Sequence, residues 1–149
     1  MRSVLRSPFA FVLALALAAC ATNPAPCPDT QAIVDSITKN SPDIVRLTVF
    51  TTPPQGGAVC AVASSLASKR GKAADPEDLR AMTSGKNEVL QEPEALDVTV
   101  PILKKDGKYT ASAGVTLKAS QGAKQADLVQ RAEAIAHDIQ TRMAAMPKK

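Results

Sequence analysis

Apolar and polar residues alternate with a period of two along several stretches of the chain, as in a strand with one buried face. In the first stretch, Val45, Leu47 and Val49 are expected to face a core, while Arg46 and Thr48 face the opposite side. Strands are predicted at residues 43–50, 58–65, 96–102 and 109–117, with a short edge strand at 87–92. Together these stretches predict a sheet.

Helical patterns lie before, between and after these strands. A first helix is predicted from Asp29 or Thr30 to about residue 40, and a short middle helix follows Asp75, a favoured N-cap residue. The last helix, at residues 123–146, carries an apolar stripe with a spacing of three or four: Leu128, Ala132, Ile135, Ile139 and Met143. His137 lies away from that stripe and is expected in solvent.

A tight turn is predicted where Asp106-Gly107 separates the last two strands, because these residue types tolerate positive φ angles. Strands joined in this way are antiparallel. The order of elements therefore predicts a single α+β domain over residues 30–149. In this domain, an N-terminal helix, a short middle helix and a long C-terminal helix pack on an antiparallel sheet.

The N-terminus carries a different signal. Arg2 and Arg6 precede an apolar run over residues 9–19, which at 11 residues is too short to span a bilayer and indicates a secretory leader. Leu17-Ala18-Ala19-Cys20 closes that run and resembles the lipobox of bacterial lipoproteins. Secretion of a protein with a free cysteine is the alternative.

The lipoprotein resemblance implies removal of residues 1–19 and a lipid thioether on Cys20, with a fatty acid such as palmitate on the new amino terminus. Residues 20–29, rich in proline, would form a short tether. The domain would then face the periplasm from a membrane of the cell envelope. Ala21, in place of the Asp that retains such proteins at the inner membrane, favours the outer membrane.

The composition limits the possible partners and cross-links. With the leader removed, 16 Lys and Arg stand against 14 Asp and Glu, and the whole chain has one Tyr, three Phe and no Trp. Nucleic-acid binding by stacked aromatic side chains is therefore not expected. In an oxidising compartment, Cys27 and Cys60 are expected to form a disulfide, the alternative being two unrelated thiols.

Several segments together resemble the PAS-like sensor folds, and in particular the periplasmic PDC or Cache-like domains. They are residues 63–72, 75–79 and 96–101, followed by Asp106-Gly107 and Ala113-Gly114-Val115. The similarity covers residues 43–118. It implies a pocket for a small metabolite, such as an amino acid or a carboxylate, between the sheet and the loops above it.

Basic and hydroxyl side chains are the candidates for such a pocket. They are Arg46, Thr48, Lys69, Arg70 and Lys72, which together would hold an anionic ligand. The alternative is a solvated strand face and a soluble loop. No cofactor and no metal site are expected, because the His and Cys clusters that zinc or copper require are missing.

The sequence predicts that the protein is not an enzyme, since it has no nucleophile elbow, P-loop or dinucleotide-binding turn. The leading hypothesis is a lipid-anchored domain that binds a small anionic ligand and acts through an envelope protein partner. A non-catalytic envelope protein that docks on another protein without a ligand is the alternative. A third hypothesis is a thiol-redox accessory that uses Cys27 and Cys60.

Overall fold

A computed structural model describes residues 25–147 of the 149-residue chain. Three α-helices are present: α1 (Pro28–Lys39), α2 (Pro76–Ser84) and α3 (Gln125–Ala144), with a short 3₁₀ helix at Ala67–Lys69. Five strands are present: β1 (Ile44–Thr51), β2 (Cys60–Ser64), β3 (Glu88–Glu92), β4 (Ala95–Lys105) and β5 (Lys108–Lys118). The predicted leader and residues 20–24 of the predicted tether lie outside the described residues.

All neighbouring strands of the sheet are antiparallel, in the order β2-β1-β5-β4-β3. The predicted α+β class and antiparallel sheet are confirmed. The turn between β4 and β5 also forms as predicted, because Lys105 pairs with Lys108 across Asp106 (φ 50°) and Gly107 (φ 79°). Positive φ at both turn positions matches the twist of the strands it joins.

The middle helix α2 is fixed by local chemistry at both ends. Asp75 is its N-cap, and the backbone N–H of Asp75 donates to Asp78 Oδ2 at 2.9 Å in a reciprocal capping box. Pro76 occupies the first helical position, and Gly85 ends the helix with a φ of 68°. Because both ends are determined locally, α2 was predictable almost to the residue.

Helix α1 begins earlier than predicted. Pro28 is its first residue, and Cys27, rather than Asp29 or Thr30, occupies the cap position. The predicted tether at residues 20–29 therefore ends two residues too late. A proline destabilises the interior of a helix, but at the first position its missing N–H costs no hydrogen bond.

Helices α1 and α3 cover one face of the sheet with an apolar core. Leu47 and Val49 of β1 lie in it, together with Ala132, Ile135 and Ile139 of the predicted α3 stripe. His137 is exposed, as predicted. This side of the sheet follows the sequence pattern closely, because apolar residues at a fixed period identify the buried face of each element.

Strand β1 departs from its predicted pattern at two places. The strand register shifts between Ile44 and Arg46, and Val45, expected in the core, is 47% exposed. The face opposite the core is not solvated either, since Thr48 is 3% exposed and α2 packs on β5 and β4 on that side. The sheet is thus covered on both sides, which places polar residues of β1 inside the protein.

Candidate functional site

The two covered faces of the sheet differ in chemistry. On β5, Ala113 and Val115 lie in the core beneath α1 and α3, while Gly114 and Thr116 alternate with them and face α2. Facing α2 from the neighbouring strands are Thr48, Asp97 and Thr99, with Phe50 beside them. One face is therefore apolar and the other is largely polar.

A cavity of about 210 Å³ lies on this polar face, and we refer to it as the α2 cavity. Five carboxylates and two basic groups line it, together with Thr48, Phe50, Leu90 and Gly114. The charged lining residues are Arg46, Lys69, Asp75, Glu77, Asp78, Glu92 and Asp97. Carboxylates are thus the dominant charged groups around the cavity.

Arg46 links three strands at one side of the cavity. Its Nη2 lies 3.0 Å from Glu92 Oε1 on β3 and 3.6 Å from Asp97 Oδ1 on β4. Thr116 Oγ1 donates a further hydrogen bond of 2.5 Å to the same Asp97 oxygen. Burial alone would lower the pKa of Arg46, but the hydrogen bond that it donates to Glu92 and the charges of both carboxylates raise that pKa above its usual value. In the cavity wall, the positive charge of Arg46 is therefore already balanced by Glu92 and Asp97.

Asp78, in the first turn of α2, is the most buried of the cavity carboxylates at 4% exposure. Its Oδ2 accepts the Asp75 N–H, and its Oδ1 accepts a long hydrogen bond of 3.4 Å from Thr99 Oγ1. Burial raises the pKa of Asp78 to about 6, and the charges of Glu77, Asp75 and Asp97 add to that rise. Among residues 25–147 it has no ion-pair partner.

Hydroxyl groups complete the polar face. Thr48 Oγ1 and Ser64 Oγ share a buried hydrogen bond of 2.8 Å across β1 and β2. Ser112, on β5, is fully buried, and its hydroxyl has no hydrogen-bond partner within the described part of the chain. The carboxylates and hydroxyl groups together supply hydrogen-bond acceptors for a bound molecule. With a pKa of about 6, Asp78 can also exchange a proton near neutral pH.

Of the five residues predicted to bind a ligand, three line the cavity: Arg46, Thr48 and Lys69. Arg70 does not reach it, because its Nε donates to the carbonyl of Ser64 at 3.0 Å on the α1 side. Lys72 is exposed and lies outside the cavity as well. The prediction located the cavity wall on β1 but included two residues of the loop that point elsewhere.

The acidic half of the site was missed by sequence reasoning. Neither Asp78 nor Asp97 is among the residues that the sequence predicts to bind a ligand. A usable signal was present in Leu96-Asp97-Val98-Thr99, where two polar residues alternate inside a strongly apolar strand. The expected anionic ligand is at odds with this lining, in which the carboxylates outnumber the bases.

The predicted disulfide does not form, since Cys27 and Cys60 are both free thiols. The backbone N–H of Cys27 bonds to the carbonyl of Val62, so Cys27 stands opposite Val62 rather than opposite Cys60. Its Sγ accepts a hydrogen bond of 3.0 Å from Thr30 Oγ1. Burial raises the pKa of the Cys60 thiol, which lowers its reactivity.

Two further structural findings concern metals and membranes. No cluster of three or more His, Cys, Asp or Glu side chains in residues 25–147 could hold a metal ion. No helix in that same range combines the length and apolar character needed to cross a bilayer.

Comparison with known proteins gives matches among solved structures. The GAF domain of an Acinetobacter phosphoenolpyruvate-protein phosphotransferase is 12% identical, with 80% of this chain and 85% of that chain covered and a TM-score of 0.48. The reduced form of fRMsr of Staphylococcus aureus is 12% identical, with 76% and 82% covered and a TM-score of 0.49. No protein-family model and no curated protein matches the chain.

Type II free methionine-R-sulfoxide reductase from Thermoplasma acidophilum is similar too, at 12% identity, with 80% of this chain and 93% of that chain covered and a TM-score of 0.45. The sequence-based exclusion of enzymes is therefore wrong, because similar structures include enzymes. At 12% identity, these structures assign no reaction to this chain.

Proposed function

We propose that the protein is a PAS-like small-molecule-binding domain whose ligand site is the α2 cavity. The observation that carries the proposal is the contrast between the two faces of one sheet. The face under α1 and α3 is filled with apolar side chains, whereas the face under α2 keeps an open volume lined by charged groups.

Stability alone does not account for such a lining. A buried polar or charged group costs free energy unless hydrogen bonds or counter-charges compensate it, and Asp78 is compensated only in part. An apolar filling, as on the other face, would have been more favourable. A concave site with a few convergent polar groups and a carboxyl of perturbed pKa is the arrangement expected of a binding site.

The volume of the cavity sets the size of the ligand. Sites for drug-sized molecules usually occupy about 300–1,000 Å³. The α2 cavity, at about 210 Å³, is smaller and suits a metabolite with few heavy atoms. The ligand class therefore includes amino acids, short amines and small hydroxylated compounds.

We also propose that the domain is held at a bacterial membrane through lipid on Cys20, facing the periplasm. The lipobox-like Leu17-Ala18-Ala19-Cys20 after a basic, apolar leader supports this location. From Cys20 to Cys27 the chain spans seven residues, which can extend by at most about 25 Å. A domain anchored in this way would sample ligands close to the membrane surface.

The proposal is tested with the full chain produced in bacterial cells and purified in mild detergent. Native mass spectrometry would look for a small molecule that co-purifies, and thermal melting would be followed against amines, amino acids, carboxylates and polyols. We expect at least one class to raise the melting temperature saturably. If no class does so and no molecule co-purifies, the α2 cavity is not a ligand site.

A second candidate function, docking on a partner protein, is favoured by one separate feature. An open groove lies between α2 and the β4–β5 turn, and Leu79, Met82 and Tyr109 line it. Leu79 is 42% exposed. Cross-linking in intact cells should capture one stoichiometric partner through this groove, and Leu79→Asp should abolish the cross-link if the groove is the interface.

A further inference from the structure

We propose, on the basis of the proposed function above, that the ligand of the α2 cavity is an organic cation whose ammonium group binds between Asp78, Thr99 and Phe50. The charge of the lining and the geometry around Gly114 support this assignment independently. The site is thus assigned a ligand class opposite in sign to the one that the sequence favoured.

The charge of the cavity is negative and only partly balanced. Arg46 is engaged by both Glu92 and Asp97, at 3.0 and 3.6 Å. The other base, Lys69, lies 3.5 Å from Asp75. Neither base is therefore free for an anion, while the carboxylate of Asp78 has no ion-pair partner in the described part of the chain. A bound cation would supply the missing counter-charge at a buried position.

The geometry beside Gly114 points to the same class. A Cβ placed on Gly114 would lie 4.0 Å from Asp78 Oδ1, 3.9 Å from Thr99 Oγ1 and 3.6 Å from Phe50 Cε2. The missing side chain therefore leaves room beside a carboxylate, a hydroxyl and an aromatic ring. An ammonium group just beyond that Cβ position, in van der Waals contact with the Gly114 backbone, would approach both oxygens to hydrogen-bond distance and contact the ring. This combination of partners suits a cation.

Other ligand classes fit the same surroundings less well. A carboxylate would have to displace Glu92 or Asp97 from Arg46 and would face the charge of Asp78 across a short distance. A neutral polyol could use the oxygen acceptors but would leave the buried negative charge uncompensated. A metal ion is disfavoured because residues 25–147 contain no cluster of three ligating side chains.

The test compares three probes of equal length: 1,4-diaminobutane, succinate and 1,4-butanediol. Each is titrated into the full chain in detergent at pH 7.5, by calorimetry and by thermal melting. We expect the diamine to bind and to raise the melting temperature, and succinate and butanediol to have no effect. Since all three share a four-carbon backbone, a difference between them reports charge.

Two variants locate the ammonium group. Asp78→Asn keeps the acceptor for the Asp75 N–H but removes the charge, and should weaken diamine binding about 10- to 100-fold. Asp127→Asn removes the same charge from the exposed first turn of α3 and should bind like the wild type. Gly114→Ala adds a methyl group that narrows the space for the ammonium group and should also weaken binding, so it tests the location without removing a charge.

The outcomes separate this inference from the proposed function. Binding of succinate or butanediol in preference to the diamine would overturn the cationic ligand and leave the α2 cavity as a binding site. Diamine binding that survives both Asp78→Asn and Gly114→Ala would overturn the location. If none of the three probes binds and the wider panel of amines also fails, the inference is wrong. Whether the proposed function then stands depends on the other ligand classes and on co-purification.

Discussion

Asp78 combines structural and chemical roles in one side chain. Its Oδ2 holds the start of α2 by accepting the Asp75 N–H, and its Oδ1 faces Thr99 and the space beside Gly114. Burial makes its ionised form unfavourable. A residue that is costly to ionise and yet lines a cavity is typical of a site where function, rather than stability, determines the side chain.

Removing this carboxyl should make the ligand-free protein less sensitive to pH. Folding raises the pKa of Asp78 from 3.8 to about 6, so protonation favours the folded state; this stabilisation is complete below pH 3.8 and is lost as the pH rises through 6. We expect Asp78→Asn to be more stable than the wild type by about 1–3 kcal/mol at pH 7.5, with the difference vanishing near pH 4. Urea unfolding across this range measures it.

The matched control is Asp127→Asn, whose carboxyl lies in an exposed helix turn. It should cost less than about 1 kcal/mol, the value of a carboxylate at a helix N-terminus, and it should not give the gain at pH 7.5 that is expected of Asp78→Asn. An Asp78→Asn profile parallel to that of the wild type would mean that this carboxyl does not titrate differently in the folded and unfolded states.

Gly114 should be replaceable by alanine with a gain in stability. Glycine weakens a strand interior by about 0.5–1 kcal/mol, and the nearest atoms to an added Cβ lie at ordinary contact distances of 3.6–4.0 Å. We expect Gly114→Ala to raise the free energy of unfolding by about that amount, as measured by urea denaturation. Ser120→Ala, in the exposed loop after β5, is the control and should leave the free energy of unfolding unchanged. A loss of stability would show that no space exists beside Asp78.

At the scale of elements, the polar face of the sheet is held together by Arg46. This side chain of β1 reaches Glu92 on β3 and Asp97 on β4, although β5 and β4 separate β1 from β3. Arg80 and Glu88 form a comparable contact of 3.1 Å between α2 and β3, but the Arg80 side chain is 55% exposed, against 25% for Arg46. The two pairs therefore test how burial changes the value of an ion pair.

Replacing Arg46 should be far more damaging than replacing Arg80. Arg46→Met leaves Asp97 and Glu92 close together without a counter-charge, and we expect a loss of about 2–4 kcal/mol in the free energy of unfolding. Arg80→Met breaks an exposed pair and should cost less than about 1 kcal/mol. Denaturant unfolding measures both, and the double variant Arg46→Met with Asp97→Asn should recover part of the loss. Equal losses for Arg46→Met and Arg80→Met would contradict this account.

At the scale of the whole molecule, the N-terminal segment and the domain have separate roles in the proposal. The domain begins at α1, eight residues beyond Cys20, so a lipid on that residue would keep the α2 cavity near the membrane. A single acyl chain binds membranes only marginally, whereas two or more chains hold a protein stably. In this proposal, the lipid on Cys20 determines where the whole protein is located.

Loss of the Cys20 thiol should release the protein from membranes. We expect Cys20→Ser to move the protein from the membrane fraction to the soluble fraction and to remove the mass of the lipid from its N-terminal peptide. Cys27→Ser should stay in the membrane fraction, because its thiol is already tied to Thr30 within the fold. A wild-type protein with an unmodified Cys20 thiol would disprove the anchor.

The sequence alone determined the elements and their order, because the signals that form them are local. Apolar periodicity marked β1 and the stripe of α3, Asp75 and Gly85 marked the ends of α2, and Asp106-Gly107 marked the tight turn. Each signal lies within a single helix, strand or turn, so it can be recognised without knowledge of distant contacts.

Only the tertiary structure decided what lies against the polar side of the sheet. A period of two shows which side chains share a face, but it does not show whether water or another element covers that face. Here α2 packs on β5 and β4 on that side, and Asp78 faces Gly114 from 36 positions away in the chain. On the same side, Thr48 is buried and Arg46 meets carboxylates of two other strands. The net charge and the location of the α2 cavity depend on residues that are distant in sequence, and only tertiary packing brings those residues together.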